Sequence, residues 1–202
     1  MNPIIDILKS AWAYRLYQWL AGANKYKRLF ANNYIRYKPD QRILDIGCGP
    51  ADILKFLPRY TDYTGIDSNP DYISKARKRS PCKTFICGDI TNPAFELEDE
   101  TFNTVFFIGV LHHCPDEVVD KMLRFAHRKL KKGGRLLSLE PVYAGNQGKL
   151  ELLIMKYDRG KFIRSAGEYQ MLTRKIFLNC SYEILANTMN VPFTIIITTM
   201  EK

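Results

Sequence analysis

The chain is poor in cysteine: Cys48, Cys82, Cys87, Cys114 and Cys180 are scattered, and no two stand in CxxC spacing. An odd set of this kind supplies neither a disulfide framework nor a zinc knuckle, and it lacks the close grouping an iron–sulfur cluster needs. No metal is expected. Long apolar runs are missing as well. The longest, Thr104 to Leu111, falls far short of the roughly 20 residues of a membrane-spanning helix. Gly/Ser-rich, Pro-rich and repeated segments are absent, which argues against large-scale disorder. The N-terminal segment is interrupted by Asp6, Lys9 and Arg15, so it does not read as a secretory leader, and the expected compartment is the cytoplasm.

What is present is ordinary in amount. The 202 residues suit one domain, 46% are hydrophobic and 25% are charged. The formal charge of +9 is uneven. One basic stretch spans residues 1–38, with Lys9, Arg15, Lys25, Lys27, Arg28, Arg36 and Lys38 against Asp6; the other spans 121–135. Two readings apply to such stretches: an anion-binding surface, or a solvated face.

Helical and strand patterns alternate after residue 41, the mark of a mostly parallel sheet with helices on both faces. Strands are expected at Arg42–Ile46, Tyr63–Asp67, Thr84–Cys87, Thr104–Ile108 and Arg135–Leu139, and a helix at about Tyr169–Phe177. A final pair, Tyr182–Ala186 and Phe193–Thr199, is joined through Asn190, Val191 and Pro192, a short link that suits antiparallel strands. Ahead of the sheet, Ile4, Leu8, Ala11, Trp12, Leu16, Trp19 and Leu20 recur at helical spacing. A second helix is expected from Asn24 to Tyr37, stopped by Pro39. Residues 1–38 thus form a helical cover, and residues 141–168 form the expected substrate cap.

The chemistry concentrates at Arg42-Ile-Leu-Asp-Ile-Gly-Cys-Gly-Pro-Ala-Asp52, a strand entering a glycine turn and then a helix expected at Ile53–Leu57. Gly47 and Gly49 let the backbone turn where a Cβ would collide, and the helix start offers unpaired N–H groups. A dinucleotide frame would place Asp52 where a third glycine belongs, with its carboxylate towards a pyrophosphate, which disfavours a nicotinamide enzyme. Asp45 suits a cationic ligand, since a carboxylate beside the turn accepts hydrogen bonds from an ammonium group. Asp67, ending the second strand, can accept both ribose hydroxyls. Asp89, closing the third, can accept from an adenine amino group. In this order the acids fit an adenosyl amino acid such as S-adenosylmethionine.

The segments DIGCGPAD, GIDSNPDYISKAR, CGDI, FFIGVLHHCPD and LKKGGRLLSLEP resemble the successive motifs of class I S-adenosylmethionine-dependent methyltransferases over roughly residues 40–140. The resemblance implies a Rossmann-like, seven-stranded α/β sheet whose last strand is antiparallel. It implies that Asp45, Gly47 and Gly49, with Cys48 between them, hold the methionine part of the cofactor. Asp67 and its neighbour Ser68 would hold the ribose, and Asp89 and Ile90 the adenine. Ala51 departs from the family pattern, which commonly has a third glycine there. S-adenosylhomocysteine is the implied product.

Methyl transfer is a displacement at a sulfonium, so the protein must align the acceptor and, for a hydroxyl, remove its proton. His112 and His113, at the end of the fourth strand, are the candidate bases; the competing reading has them capping the next helix or packing beneath the cofactor. Tyr143, Asp158, Arg159 and Arg164 in the cap are the candidate acceptor contacts, or else an ion pair that locks a loop. An Asn/Asp-Pro-Pro-aromatic turn for N6-adenine chemistry is missing, and Cys114-Pro115 reverses the order of a cytosine C5 nucleophile. A small-molecule acceptor is therefore the first expectation. An RNA acceptor, favoured by the basic stretches, is the second, and a noncatalytic cofactor-binding partner protein the third.

Overall fold

The computed structural model describes residues 22–156 and 160–202. The apolar stripe expected over residues 4–20, and Tyr157, Asp158 and Arg159 of the cap, lie outside the described residues.

The sheet contains β1 (Arg42–Ile46), β2 (Asp62–Asp67), β3 (Thr84–Cys87), β4 (Phe102–Ile108), β5 (Leu130–Tyr143), β7 (Asn179–Leu185) and β8 (Ile195–Glu201), with a two-residue β6 (Arg164–Ser165) beside the end of β5. Its order is β3-β2-β1-β4-β5-β8-β7. Strands β1 to β5 run parallel, and β8 is antiparallel to both β5 and β7. Strand order reverses between β1 and β4, and in an open parallel sheet the crevice at that reversal is where ligands bind.

Strand residues alternate between two cores. Phe106 of β4 packs with Phe30, Ile35, Tyr63 and Ile73 on one face, while Val105 and Phe107 pack with Val119, Leu123, Leu172 and Phe177 on the other. The first face is covered by α1 (Ala23–Phe30), its wide terminal turn Ala31–Ile35, and α2 (Pro70–Arg79). The second is covered by α3 (Asp116–Lys129) and α5 (Ala166–Arg174); α4 (Lys149–Lys156) lies in the segment between β5 and β6.

Local chemistry explains the helix starts. Asn69 accepts from the backbone N–H groups of Asp71 and Tyr72, and Pro70 presets the first helical φ of α2. Asp116 and Glu117 open α3, and His127, Arg128 and Lys129 close it, as the helix dipole favours. Ser165 and Glu168 form a reciprocal capping box at the start of α5.

Several expected bounds are corrected: the helix expected at Tyr169–Phe177 is Ala166–Arg174, and the final strands expected at Tyr182–Ala186 and Phe193–Thr199 are Asn179–Leu185 and Ile195–Glu201. The helix expected at Ile53–Leu57 is a short 3₁₀ turn, Asp52–Phe56, because Pro58 forces Leu57 into an extended conformation. The helix expected to reach Tyr37 ends at Ile35, where Arg36 takes a left-handed conformation. Strand β5 begins at Leu130, not Arg135: Leu130 pairs with Phe102, and the Lys131–Gly134 segment that reads as a loop bulges out of the ladder before Arg135 pairs with Thr104. The basic stretch 121–135 is partly spent inside the fold. Lys129 is buried and bonds to Asp99 and Leu97 O, and half-buried Arg135 donates to Ile35 O, whereas Arg124 pairs with Asp120 on the exposed face of α3.

Candidate active site

The glycine turn leaves β1 beneath the crevice. Gly47 has φ 74°, and a Cβ there would stand 2.6 Å from Cγ2 of Val110, so only glycine fits. The backbone N–H groups of Gly47 and Cys48 both donate to Ile66 O, and that of Gly49 donates to Oδ2 of Asp67 at 2.8 Å. These donors stitch the turn to β2, and the 3₁₀ turn behind it is too short to act as a helix dipole.

A cavity of about 610 Å³ opens over this turn, within the range of small-molecule sites. Its wall includes Gly47, Gly49, Asp67, Ser68, Asp89 and Ile90, together with His113 and Cys114. Asp67 is held by Gly49 and by the N–H of Asn69, and Oδ1 of Asp89 is held by the N–H and hydroxyl of Thr91. Both carboxylates are thus fixed in place at adjacent strand ends. Tyr72, Thr91, Val118 and Met122 also line the cavity and were not legible as site residues. They sit on α2, α3 and a loop, where nothing in the sequence distinguishes a wall position from a core one.

Two expected residues stand behind the wall. Asp45 is buried and accepts a hydrogen bond from the Tyr63 hydroxyl at 2.6 Å; burial pushes its carboxyl up to about 7, against the opposing effects of that bond and of Lys27. It does not line the cavity. The Cys48 side chain is buried, its sulfur lying where a Cβ on Gly65 would come within 2.9 Å, and burial raises its thiol far above the ordinary range. Cys48 shapes the turn through its backbone.

The two histidines separate. They occupy a 3₁₀ turn, Leu111–His113, after β4, with ring centroids 4.0 Å apart. His113 is exposed on the cavity wall. His112 is only 5% exposed and lies behind it, Nδ1 at 2.6 Å from Oε2 of Glu140. Glu140, fully buried on β5, also accepts from the N–H groups of Val110 (3.0 Å), Leu111 (2.9 Å) and His112 (3.3 Å). Sequence reasoning missed Glu140, although it is a further acid in a strand-end motif, the LLSLEP segment.

The cap residues are sorted as well. Arg164 is buried and turned into the protein, where its guanidinium bonds to Asp116 Oδ1 through Nε and Nη2, to Leu111 O and Phe162 O through Nη1, and to Cys114 O through Nη2. With every N–H so engaged, it ties the segment before β6 to the histidine turn, which corrects its expected place as an acceptor contact. Gly160 rests on the His112 ring, and Phe162 N–H donates to His112 O. Tyr143, 40% exposed at the end of β5, does not reach this cavity. Asp158 and Arg159 lie outside the described residues. Among the described residues, no group of three or more His, Cys, Asp or Glu side chains could hold a metal ion, and no helix is long and apolar enough to cross a membrane.

Residues 43–134 match a family model described as a methyltransferase domain. The chain is 31% identical over 103 residues to a demethylmenaquinone methyltransferase of Thermotoga maritima, a match covering 50% of this chain and 43% of that relative. The chain thus spans less than half the length of the first curated relatives it matches. Among solved structures, a methyltransferase from Archaeoglobus fulgidus described as dependent on S-adenosylmethionine superposes with a TM-score of 0.73 at 17% identity, over 93% of this chain and 99% of that one. A phosphoethanolamine N-methyltransferase of Haemonchus contortus, solved with phosphomonomethylethanolamine and S-adenosylhomocysteine, has a TM-score of 0.72 at 16% identity, over 100% of this chain and 61% of that one.

Proposed function

We propose that the chain, whose residues 43–134 match a methyltransferase domain, is a class I S-adenosylmethionine-dependent methyltransferase that transfers a methyl group to a small-molecule acceptor. The observation that carries this reading is one continuous cavity wall: Gly47, Gly49, Asp67 and Asp89 at the ends of β1, β2 and β3, and His113 at the end of β4.

The residues present fit the cofactor. Asp67 is anchored and suits the ribose hydroxyls, Asp89 suits the adenine amino group, and Ile90, Val118 and Met122 offer apolar surface to the adenine faces. When bound, S-adenosylmethionine supplies a methyl group on a sulfonium, an electrophile that needs alignment more than activation. For a hydroxyl acceptor, His113 is the base we assign: its imidazole would take up the hydroxyl proton at the cavity wall. His112 does not take that part here, since its Nδ1 is held by Glu140 and Gly160 lies against its Nε2 edge.

The relative named for demethylmenaquinone methylation supports a small acceptor. The burial of Lys129 and the bond from half-buried Arg135 to Ile35 O thin the second basic stretch as a phosphate-binding face, which counts against RNA. The test is untargeted. The protein is incubated with methyl-labelled S-adenosylmethionine and fractionated extract, and label is expected in a small-metabolite or lipid fraction. Label confined to RNA, or absent from every fraction, would overturn the proposal.

A further inference from the structure

We propose that Glu140 is a positioning residue for methyl transfer, holding the turn after β4 so that the His113 ring stands at the cavity wall. The inference rests on the reading of this cavity as the methyl-transfer site. Glu140 has no contact with the cavity, yet every group it touches belongs to the turn that does: Oε1 accepts from Val110 N and Leu111 N, and Oε2 from His112 N and His112 Nδ1.

Both oxygens therefore act as acceptors, which is the behaviour of an ionised carboxylate. The proton between Glu140 and His112 then lies on Nδ1. This fixes the His112 tautomer and ring plane, and the His113 ring, 4.0 Å away by centroids, packs against that plane. The far side of the same assembly is closed by Gly160, whose backbone would bring a Cβ within 1.8 Å of His112 Cδ2, and by Arg164 bonded to Leu111 O and Cys114 O. Glu140 from β5 and Arg164 from β6 thus grip the turn from two sides.

A neutral amide cannot reproduce this. In Glu140→Gln, whichever way the amide is turned, its NH₂ faces either two backbone N–H groups or the two donors of His112.

The test begins on the wild-type protein. The chain has three histidines, so nitrogen-15 imidazole spectra report each directly. At about pH 8.5, some two units above the ordinary imidazole value of ~6.5, His112 Nδ1 is expected to carry its proton, and an unprotonated Nδ1 would overturn the proposal. Glu140→Gln should shift the His112 and His113 signals while leaving that of His127 in place. It should lower kcat about ten- to a hundredfold, with S-adenosylhomocysteine affinity within about threefold of wild type. Glu140→Asp should recover part of the loss. A wild-type kcat in Glu140→Gln, or equal losses in kcat and cofactor affinity, would contradict positioning. Should Glu140→Gln fail to fold, the wild-type spectra and Glu140→Asp kinetics still decide. The spectra need no acceptor, so failure of the methyl-transfer reading and failure of this one remain distinguishable.

Discussion

The backbone N–H of Gly49 donates to Oδ2 of Asp67 at 2.8 Å, so the carboxylate that ends β2 also pins the turn that ends β1. One side chain thereby joins the loop and the proposed ribose contact. Asp67→Ala should weaken S-adenosylhomocysteine binding by about 1.5–3 kcal/mol, roughly ten- to a hundredfold, the range for hydrogen bonds to a charged group. Calorimetry on the folded variant measures this, and unchanged affinity would remove Asp67 from the site.

Gly47 and Gly49 are both left-handed but differ in their surroundings. A Cβ on Gly47 would meet Val110 at 2.6 Å, whereas one on Gly49 would have nothing within 4 Å. Gly49→Ala should cost only the backbone penalty, about 1–2 kcal/mol. Gly47→Ala should cost more, because Val110 sits on the turn held by Glu140 and has no room to retreat. Urea denaturation of the two variants gives the order, and equal losses would contradict this packing.

Asp45 makes stability depend on pH. Its carboxyl is raised by burial from 3.8 to about 7, so the folded state holds the proton more tightly than the unfolded chain. Its contribution is present at low pH and is lost as pH rises from about 4 towards 7, by an amount on the order of 4 kcal/mol at most. Asp45→Asn keeps an acceptor for the Tyr63 hydroxyl and removes the titration. The wild type should therefore lose stability relative to Asp45→Asn across that interval. Parallel stability curves would contradict it.

Arg164 is irreplaceable by another cation if its fork matters. Arg164→Lys retains charge but cannot serve Asp116, Leu111 O, Phe162 O and Cys114 O together. We expect a loss of about 1.5–3 kcal/mol in unfolding free energy, the range for hydrogen bonds made by a charged group. Thermal unfolding checks it, and a variant as stable as wild type would show the strut to be dispensable.

Strands β1 to β4 were legible because each is a run rich in β-branched or aromatic residues closed by Gly or Asp, and β1 and β3 lie at the expected residues. The 3₁₀ turn after the glycine loop was not, since the effect of Pro58 acts on Leu57 one residue before it and truncates what the apolar spacing extends. In the site, Asp67, Asp89 and His113 were readable as polar residues at strand ends. Asp45 and Cys48 share that position but turn inward, towards the covered face of the sheet that holds Ile43 and Tyr63. Glu140 escaped, and Arg164 was named without its partners, because most of the groups they bond are backbone groups of a turn distant in sequence, and such bonds leave no pattern in the chain.

The central claim is that the cavity between the glycine turn and His113 holds S-adenosylmethionine. Titration calorimetry of the purified protein with S-adenosylhomocysteine tests it directly. We predict saturable binding at one ligand per chain, with affinity reduced in Asp67→Ala. Folded wild-type protein that binds neither S-adenosylhomocysteine nor S-adenosylmethionine would contradict it.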